Sequence, residues 1–232
     1  MSPLWTPDGQ SLVFSWLKDG RRCLARHRAD TSWTTTPEVL LAGGGDPKSW
    51  TSDGRLVVLG SNDVQVATLG NGRVTMQPLA QTPQVEEGSP EVSPDGRWLA
   101  YGSNDTGRRE IYVQPYPGTG RRIQVSNAGG IAPAWNPRGG ELFFVGLPVQ
   151  GTRWMMAAHF GPGSPPLVGT PQPLFDIPKG LIFGGSESRF YDVTPNGQRF
   201  FVMQVPPGPR PITYVNLIEH WVEELKAKAP VK

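Results

Sequence analysis

The sequence predicts an all-β fold, a β-propeller of about five four-stranded antiparallel blades with a short C-terminal α-helix. Two observations carry this expectation. A seven-residue turn motif recurs five times, at 4–10 (LWTPDGQ), 49–55 (SWTSDGR), 91–97 (EVSPDGR), 134–140 (AWNPRGG) and 192–198 (DVTPNGQ). Counted from the residue before its glycine it falls at 8, 53, 95, 138 and 196, so the intervals are 45, 42, 43 and 58 residues. Repeats of that length are the size of a four-stranded propeller blade. The second observation is the placing of Gly 29 and Pro 25, nearly a quarter of the 232 residues. They separate short apolar runs, as the turns of a many-stranded protein do, and form no low-complexity tract.

In four of the motifs proline presets φ for the first central turn position, and in four Asp-Gly or Asn-Gly supplies the positive φ that follows. The residues on either side then become two antiparallel strands of a tight hairpin. Strands are expected after the turns at 11–15, 55–59, 98–102, 141–145 and 199–205. Second turns follow at Lys18-Asp19-Gly20, at Ser61-Asn62-Asp63 and at 103–107. Third strands are expected at 23–28, 64–69, 111–114, 154–160 and 212–215, and fourth strands at 38–41, 74–79, 123–126 and 173–175. The blades then span 1–44, 45–87, 88–128, 129–178 and 186–216 of a single domain, 1–232.

The 58-residue interval holds a Gly- and Pro-rich insertion, 161–188, expected as a functional or flexible loop. Asn216 caps an expected helix, 217–228, whose Leu217, Trp221 and Leu225 stripe should pack on the last blade, docking of a partner being the alternative. The first repeat starts at its inner strand, so it should supply all four of its own strands. Closure is then expected from side-chain packing rather than strand exchange between the termini. An open edge would favour a homodimer.

Charge excludes some partners. Lys and Arg number 22 and Asp and Glu 20, a formal net charge of +2 with no long block of one sign. That points away from nucleic acid and from anionic membrane surfaces. No apolar stretch approaches the roughly 20 residues of a membrane helix, so this segment is not expected to insert into a membrane. One cysteine, Cys23, leaves the fold without an internal disulfide. Residues 1–5 (MSPLW) carry neither the basic nor the apolar region of a signal peptide and begin inside a repeat. The chain is therefore expected to be a piece of something longer.

These motifs resemble the TolB-type propeller repeat, whose hallmark is a Ser-Pro-Asp-Gly turn after an aromatic residue. The match is fullest over 89–115 (SPEVSPDGRWLAYGSNDTGRREIYVQP) and the resemblance covers nearly the whole chain. The ending, YDVTPNGQRFFV followed by NLIEHWVEELK, resembles the end of propellers attached to bacterial serine/threonine protein kinases. In those proteins a cytoplasmic kinase is joined through a membrane helix to an extracytoplasmic propeller. The resemblance implies a sensor or interaction module that binds a protein or a small-molecule ligand, and an extracytoplasmic location if the propeller is kinase-linked. Kinase activity is not carried over. The chain has no glycine-rich ATP loop, no Val-Ala-Ile-Lys strand, and neither a His-Arg-Asp nor an Asp-Phe-Gly motif.

Motifs for other chemistry fail one by one. The nearest approach to a nucleophile elbow, Gly184-Gly185-Ser186-Glu187-Ser188, lacks the final glycine, and Gly118-Thr119-Gly120 is a hairpin turn with no helix behind it. Cys23 and His27 share a face of one strand but sit about 13 Å apart along it. His27, His159 and His220 form no His-Glu-x-x-His pair and are expected on surfaces, with His159 bordering the insertion.

Propeller geometry supplies one further constellation. The strand before each turn motif lines the central channel, so Leu4, Ser49, Glu91, Ala134 and Asp192 occupy one equivalent position. Asp46, Glu86 and Glu87 lie just upstream, where the chain enters those strands. Carboxylates of Asp46, Glu87, Glu91 and Asp192 converging at a channel mouth would suit a hard cation such as Ca²⁺. Some propeller hydrolases of lactones and phosphotriesters use such a centre, and hydrolysis of esters, lactones or phosphotriesters is accordingly the alternative function. The competing reading has these acids solvated or paired with Lys48, Arg189 or backbone amides. Uncompensated, they would raise one another's pKa, so that removing Glu91 and Asp192 together is expected to spare folding or improve it.

Overall fold

The turn motif works through one hydroxyl. In the first, second, third and fifth repeats a Ser or Thr heads the turn and uses both its donor and its acceptor capacity. Ser93 Oγ donates to Asp95 Oδ1 at 2.5 Å and accepts the Trp98 N–H at 3.0 Å. Thr6 does the same with Asp8 and Ser11, Thr51 with Asp53 and Arg55, and Thr194 with Asn196 and Arg199. In all five copies the glycine N–H then closes the turn onto the carbonyl of the heading residue, at 2.7–3.0 Å. The fourth copy substitutes Asn136, whose amide oxygen accepts from Arg138 N.

The computed structural model describes residues 3–204 apart from 33, 61–62, 71–72, 81–84, 119, 164 and 186–187. Its strands fall into five antiparallel blades in a propeller arrangement. The first blade contains β1 (Leu4–Trp5), β2 (Ser11–Lys18), β3 (Arg21–Arg28) and β4 (Glu38–Ala42). The second contains β5 (Asp46–Trp50), β6 (Leu56–Leu59), β7 (Val64–Gly70) and β8 (Arg73–Ala80). In the third, β9 (Glu87–Val92), β10 (Trp98–Ser103), β11 (Glu110–Pro115) and β12 (Ile123–Gln124) follow in the same order. The fourth is β13 (Gly130–Trp135), β14 (Glu141–Gly146) and the ten-residue β15 (Trp154–Gly163), against which both β16 (Pro166–Val168) and β17 (Gln172–Asp176) pair. The fifth is described through β18 (Leu181–Ile182), β19 (Tyr191–Val193) and β20 (Phe200–Gln204).

Alternation along the second strands explains how the blades stack. Leu56 and Val58 of β6 join Val13 and Leu24 of the first blade, while Val57 and Leu59 join Leu99, Tyr101 and Tyr112 of the third. Trp98 and Ala100 then meet Trp135, Leu142, Phe144 and Phe160 of the fourth. Phe143 and Val145 meet Phe183, Tyr191, Val193 and Phe200 of the fifth. Each of the four core clusters is thus one interface between consecutive blades. This is why the middle blades show unbroken apolar strands: both faces are covered. On β20 Phe200 faces the fourth blade, and Phe201 on the other side is 66 % exposed.

Two expectations are revised. About half of the described residues of the insertion 161–188 are strand, because the chain returns along β15 twice and then begins the fifth inner strand at Leu181. His27 is buried at 3 % exposure, its Nδ1 2.8 Å from the Arg28 carbonyl oxygen and its Nε2 3.0 Å from the Thr35 hydroxyl, so it belongs to the scaffold rather than the surface. The expected strand 212–215, helix 217–228 and His220 lie outside the described residues.

Two measurements test these contacts. A methyl group on Gly45 would lie 1.9 Å from the Leu59 carbonyl oxygen, a backbone atom of the paired strand that cannot step aside. Gly45→Ala should therefore cost about 1–3 kcal/mol in urea unfolding, the range of overpacked sites. The turn carboxylates give a pH signature. Hydrogen bonds from Arg55 and Thr51 hold Asp53 below the ordinary value; at Asp95 burial pushes upward but bonds from Ser93 and Arg97 outweigh it. Folded values below the unfolded value of about 3.9 mean stability fully present above that pH and lost as pH falls through the lowered values. The thermal midpoint should drop below about pH 4, and Asp53→Asn with Asp95→Asn should flatten that drop.

Candidate functional site in the central channel

Each complete inner strand of blades two to four carries one more residue than the strand it pairs with. The slip falls between Pro47 and Ser49, between Gly88 and Glu91, and between Ile131 and Ala134. In the third and fourth blades it places Ser89 and Ala132 at φ 48° and 53°. The bulge turns the following residues toward the axis. In the fifth blade the same slip is enlarged. Leu181 and Ile182 pair with Gln204 and Met203, the chain leaves the sheet, and Tyr191 resumes the pairing opposite Val202. The excursion is pinned at its base by Phe190 N donating to the Phe183 carbonyl oxygen.

The equivalent positions beyond the bulge form a tie between neighbours. The Ser49 hydroxyl accepts the Val92 N–H of the next blade at 3.4 Å. Glu91 Oε2 accepts the Trp135 N–H of the blade after that at 2.9 Å, and the Trp135 indole N–H returns a bond to the Glu91 carbonyl oxygen at 3.1 Å. In the fourth blade the position is Ala134, which has no acceptor, and Val193 N donates instead to its own neighbour Asp192.

These residues enclose a cavity of about 200 Å³ to which all five blades contribute: Leu4 from the first, Lys48 from the second, Glu91 with Pro90 from the third, Pro133 from the fourth, and Arg189, Tyr191 and Asp192 from the fifth. The enlarged bulge reaches across it. Arg189 Nη1 donates to Glu91 Oε2 at 2.6 Å and lies 3.4 Å from the Pro133 carbonyl oxygen, while Nη2 is 3.5 Å from Asp192. Lys48 Nζ donates to Ser188 Oγ at 3.2 Å. The guanidinium sits 5.6 Å from the Tyr191 ring centre, and the Tyr191 hydroxyl donates to the Ala132 carbonyl oxygen at the fourth bulge. Burial opposes the Arg189 charge, but Glu91, Tyr191 and Asp192 outweigh it and raise its pKa; burial pushes the Tyr191 hydroxyl up. Arg189 therefore stays cationic and Tyr191 neutral. A larger hollow of about 340 Å³ lies on the first blade, but its arginines are already paired, Arg26 with Glu38 and Arg28 with Asp30, and it draws on one blade alone.

Of the seven residues singled out in the sequence, the structure brings four together: Lys48, Glu91, Arg189 and Asp192. Asp46 turns away to Arg22 at 3.1 Å, Glu87 is buried opposite Ser103 at the start of β9, and His159 is exposed on β15 opposite Glu141. Among the described residues no group of three or more His, Cys, Asp or Glu side chains could share a metal ion. The positive charge facing Glu91 and Asp192 belongs to Arg189. Tyr191 and Ser188 are not singled out by the sequence; the one available signal is the length of the fourth interval, 58 residues, which hides an enlarged bulge.

No family model matches the chain, and no curated protein matches it. Solved structures do. A TolB-type protein of Agrobacterium tumefaciens is similar over 87% of this chain and 73% of its own, with a TM-score of 0.65 and 19% identity. TolB of Acinetobacter baumannii is similar over 86% of this chain and 47% of its own, at 0.59 and 20%. The gluconolactonase XC5397 of Xanthomonas campestris is similar over 89% of this chain and 76% of its own, at 0.60 and 16%. The chain thus spans about half the length of the Acinetobacter protein. At these identities the likeness shows the fold, a propeller of the kind found in TolB.

The Glu91 contacts reverse the stability expectation drawn from the acids alone. Glu91→Ala would strand a main-chain N–H and a half-enclosed guanidinium, and should cost about 2–4 kcal/mol by chemical denaturation. Ser49→Ala, which removes one long hydrogen bond, should cost at most about 1 kcal/mol.

Proposed function

We propose that this protein is a non-catalytic binding module whose site is the central cavity, occupied by a small molecule or by a group presented by a protein partner. The observation that carries the reading is convergence: side chains from all five blades, separated by up to 188 residues in sequence between Leu4 and Asp192, meet around one cavity. Such a site exists only when the blades are assembled, and it combines a few charged groups with apolar walls, the ordinary make-up of a ligand site. The TolB-type resemblance supports an interaction or sensor role.

The second reading, a calcium-dependent hydrolase of esters, lactones or phosphotriesters, draws on the gluconolactonase neighbour. It asks Asp46, Glu87, Glu91 and Asp192 to act as ligands. The arrangement of those four acids favours the binding role, since Glu91 and Asp192 share Arg189 and the other two point elsewhere.

Two-dimensional amide NMR of the full chain, titrated with a panel of amino acids, dicarboxylates, sugars and lactones, tests both. The expected result is a saturable shift centred on Lys48, Glu91, Arg189 and Asp192 by at least one solute class, without turnover. Chelator-sensitive hydrolysis of a lactone or phosphotriester would replace this reading with the second.

A further inference from the structure

Resting on that reading of the cavity, we infer that its ligand is an uncharged polyol, a short carbon chain or ring whose hydroxyls donate to the cavity wall. The charges that line the cavity are balanced and engaged with one another. Lys48 and Arg189 stand against Glu91 and Asp192, two cations and two anions. Arg189 pairs with Glu91 at 2.6 Å and with Asp192 at 3.5 Å. Lys48 is held by the Ser188 hydroxyl at 3.2 Å and by further interactions of its own. A charged ligand gains little from such a wall. An anion would approach Glu91 and Asp192, a cation would approach Arg189 and Lys48, and either would leave a like charge opposed.

What the wall keeps open is hydrogen-bonding capacity, most of it accepting. Both side-chain bonds to Glu91 fall on Oε2, and both contacts of the Asp192 carboxylate fall on Oδ1. Among the described residues Glu91 Oε1 and Asp192 Oδ2 accept from none. Ser89 adds a third group. It lines the same cavity at 5 % exposure, in the left-handed conformation of the third-blade bulge, and its hydroxyl has no hydrogen-bond partner among the described residues. A buried hydroxyl left so is destabilising. A neutral O–H answers all three groups, since it donates to a carboxylate oxygen and both donates to and accepts from a serine. Several such groups on one small molecule meet this wall without displacing an ion pair. Leu4, Pro90, Pro133 and the Tyr191 ring supply apolar surface for the carbon skeleton. At about 30 Å³ for each water, a cavity of about 200 Å³ replaces about seven waters and matches a four-carbon polyol.

The test compares erythritol with the anion erythronate, with the cation 1-amino-1-deoxyerythritol and with 1,4-butanediol, which lacks two of its hydroxyls, by amide NMR titration of the full chain. Erythritol is expected to bind at the cavity about fivefold or more tightly than each of the three, the contribution of one hydrogen bond. Ser89→Ala separates binding from structure. Alanine already stands at the equivalent place in the next blade, Ala132 at φ 53°, so the variant is expected to fold. Its thermal midpoint should equal or exceed that of wild type, because an unpartnered hydroxyl is removed, while erythritol affinity falls about fivefold. Asp192→Asn, at a side chain 73 % exposed, leaves the cavity with a net positive charge and should bring erythronate to at least the affinity of erythritol. A charged analogue that binds wild-type protein as tightly as erythritol overturns the polyol assignment while the cavity stands as the site. So does an erythritol affinity untouched by Ser89→Ala, a lowered midpoint in that variant, or a cavity shifted only by solutes of another class. If no solute shifts the cavity residues, this inference and the binding reading fall together.

Discussion

A single carboxylate holds three blades in register. Glu91 accepts the main-chain N–H of Trp135 from the fourth blade and the guanidinium of Arg189 from the fifth, and its own carbonyl receives the Trp135 indole. Inner strands in a propeller meet their neighbours edge to face, with no ladder of hydrogen bonds between blades. Their polar groups near the axis must find partners among side chains, or remain unsatisfied as burial strips away water. Glu91 answers that requirement at the wall of the central cavity. Ser49 answers it more weakly one blade earlier, and Ala134 cannot answer it at all.

The apolar layers act on the same geometry from outside. Because strand residues alternate in facing, each second strand serves two interfaces, and replacing one residue in β10 or β14 disturbs one cluster and leaves the other nearly intact. Aromatic contacts concentrate where the fourth blade meets its neighbours: Trp98 and Trp135 both stand edge-on to Phe160, and Phe143 stands edge-on to Phe200. Such pairs add about 0.5–1.5 kcal/mol beyond area burial. The fourth and fifth blades lack the carboxylate tie and are joined by this aromatic layer together with the Tyr191 hydroxyl on Ala132.

The residues that tie the blades together are thus the ones that line the cavity. Arg189 arrives in the channel on an enlarged bulge, where other blades use a single residue for the slip. That enlargement sets the Arg189 guanidinium between Glu91 and Asp192 beside the central cavity. A ring of bare carboxylates would have created a cation site. An arginine placed among them creates a neutral cavity with local poles.

Much of the fold was legible in the residues. Period, turn chemistry and strand order follow from local rules, since Thr6, Thr51, Ser93 and Thr194 each organise a turn with partners no more than five residues away. The equivalence of Leu4, Ser49, Glu91, Ala134 and Asp192 was legible for the same reason, and it located the channel. Which of its side chains would face one another was not. Asp46 found Arg22 across 24 residues, whereas Glu91 found Arg189 across 98, and only the assembled ring brings either pair within reach. The stretch 161–188 reads as an insertion because the sequence records its length but not its pairing with β15 and β20. The sequence by itself determined the repeat and its turns, which depend on neighbours in the chain. The tertiary structure alone decided the pairing of charges, which depends on distances through space that no spacing along the chain encodes.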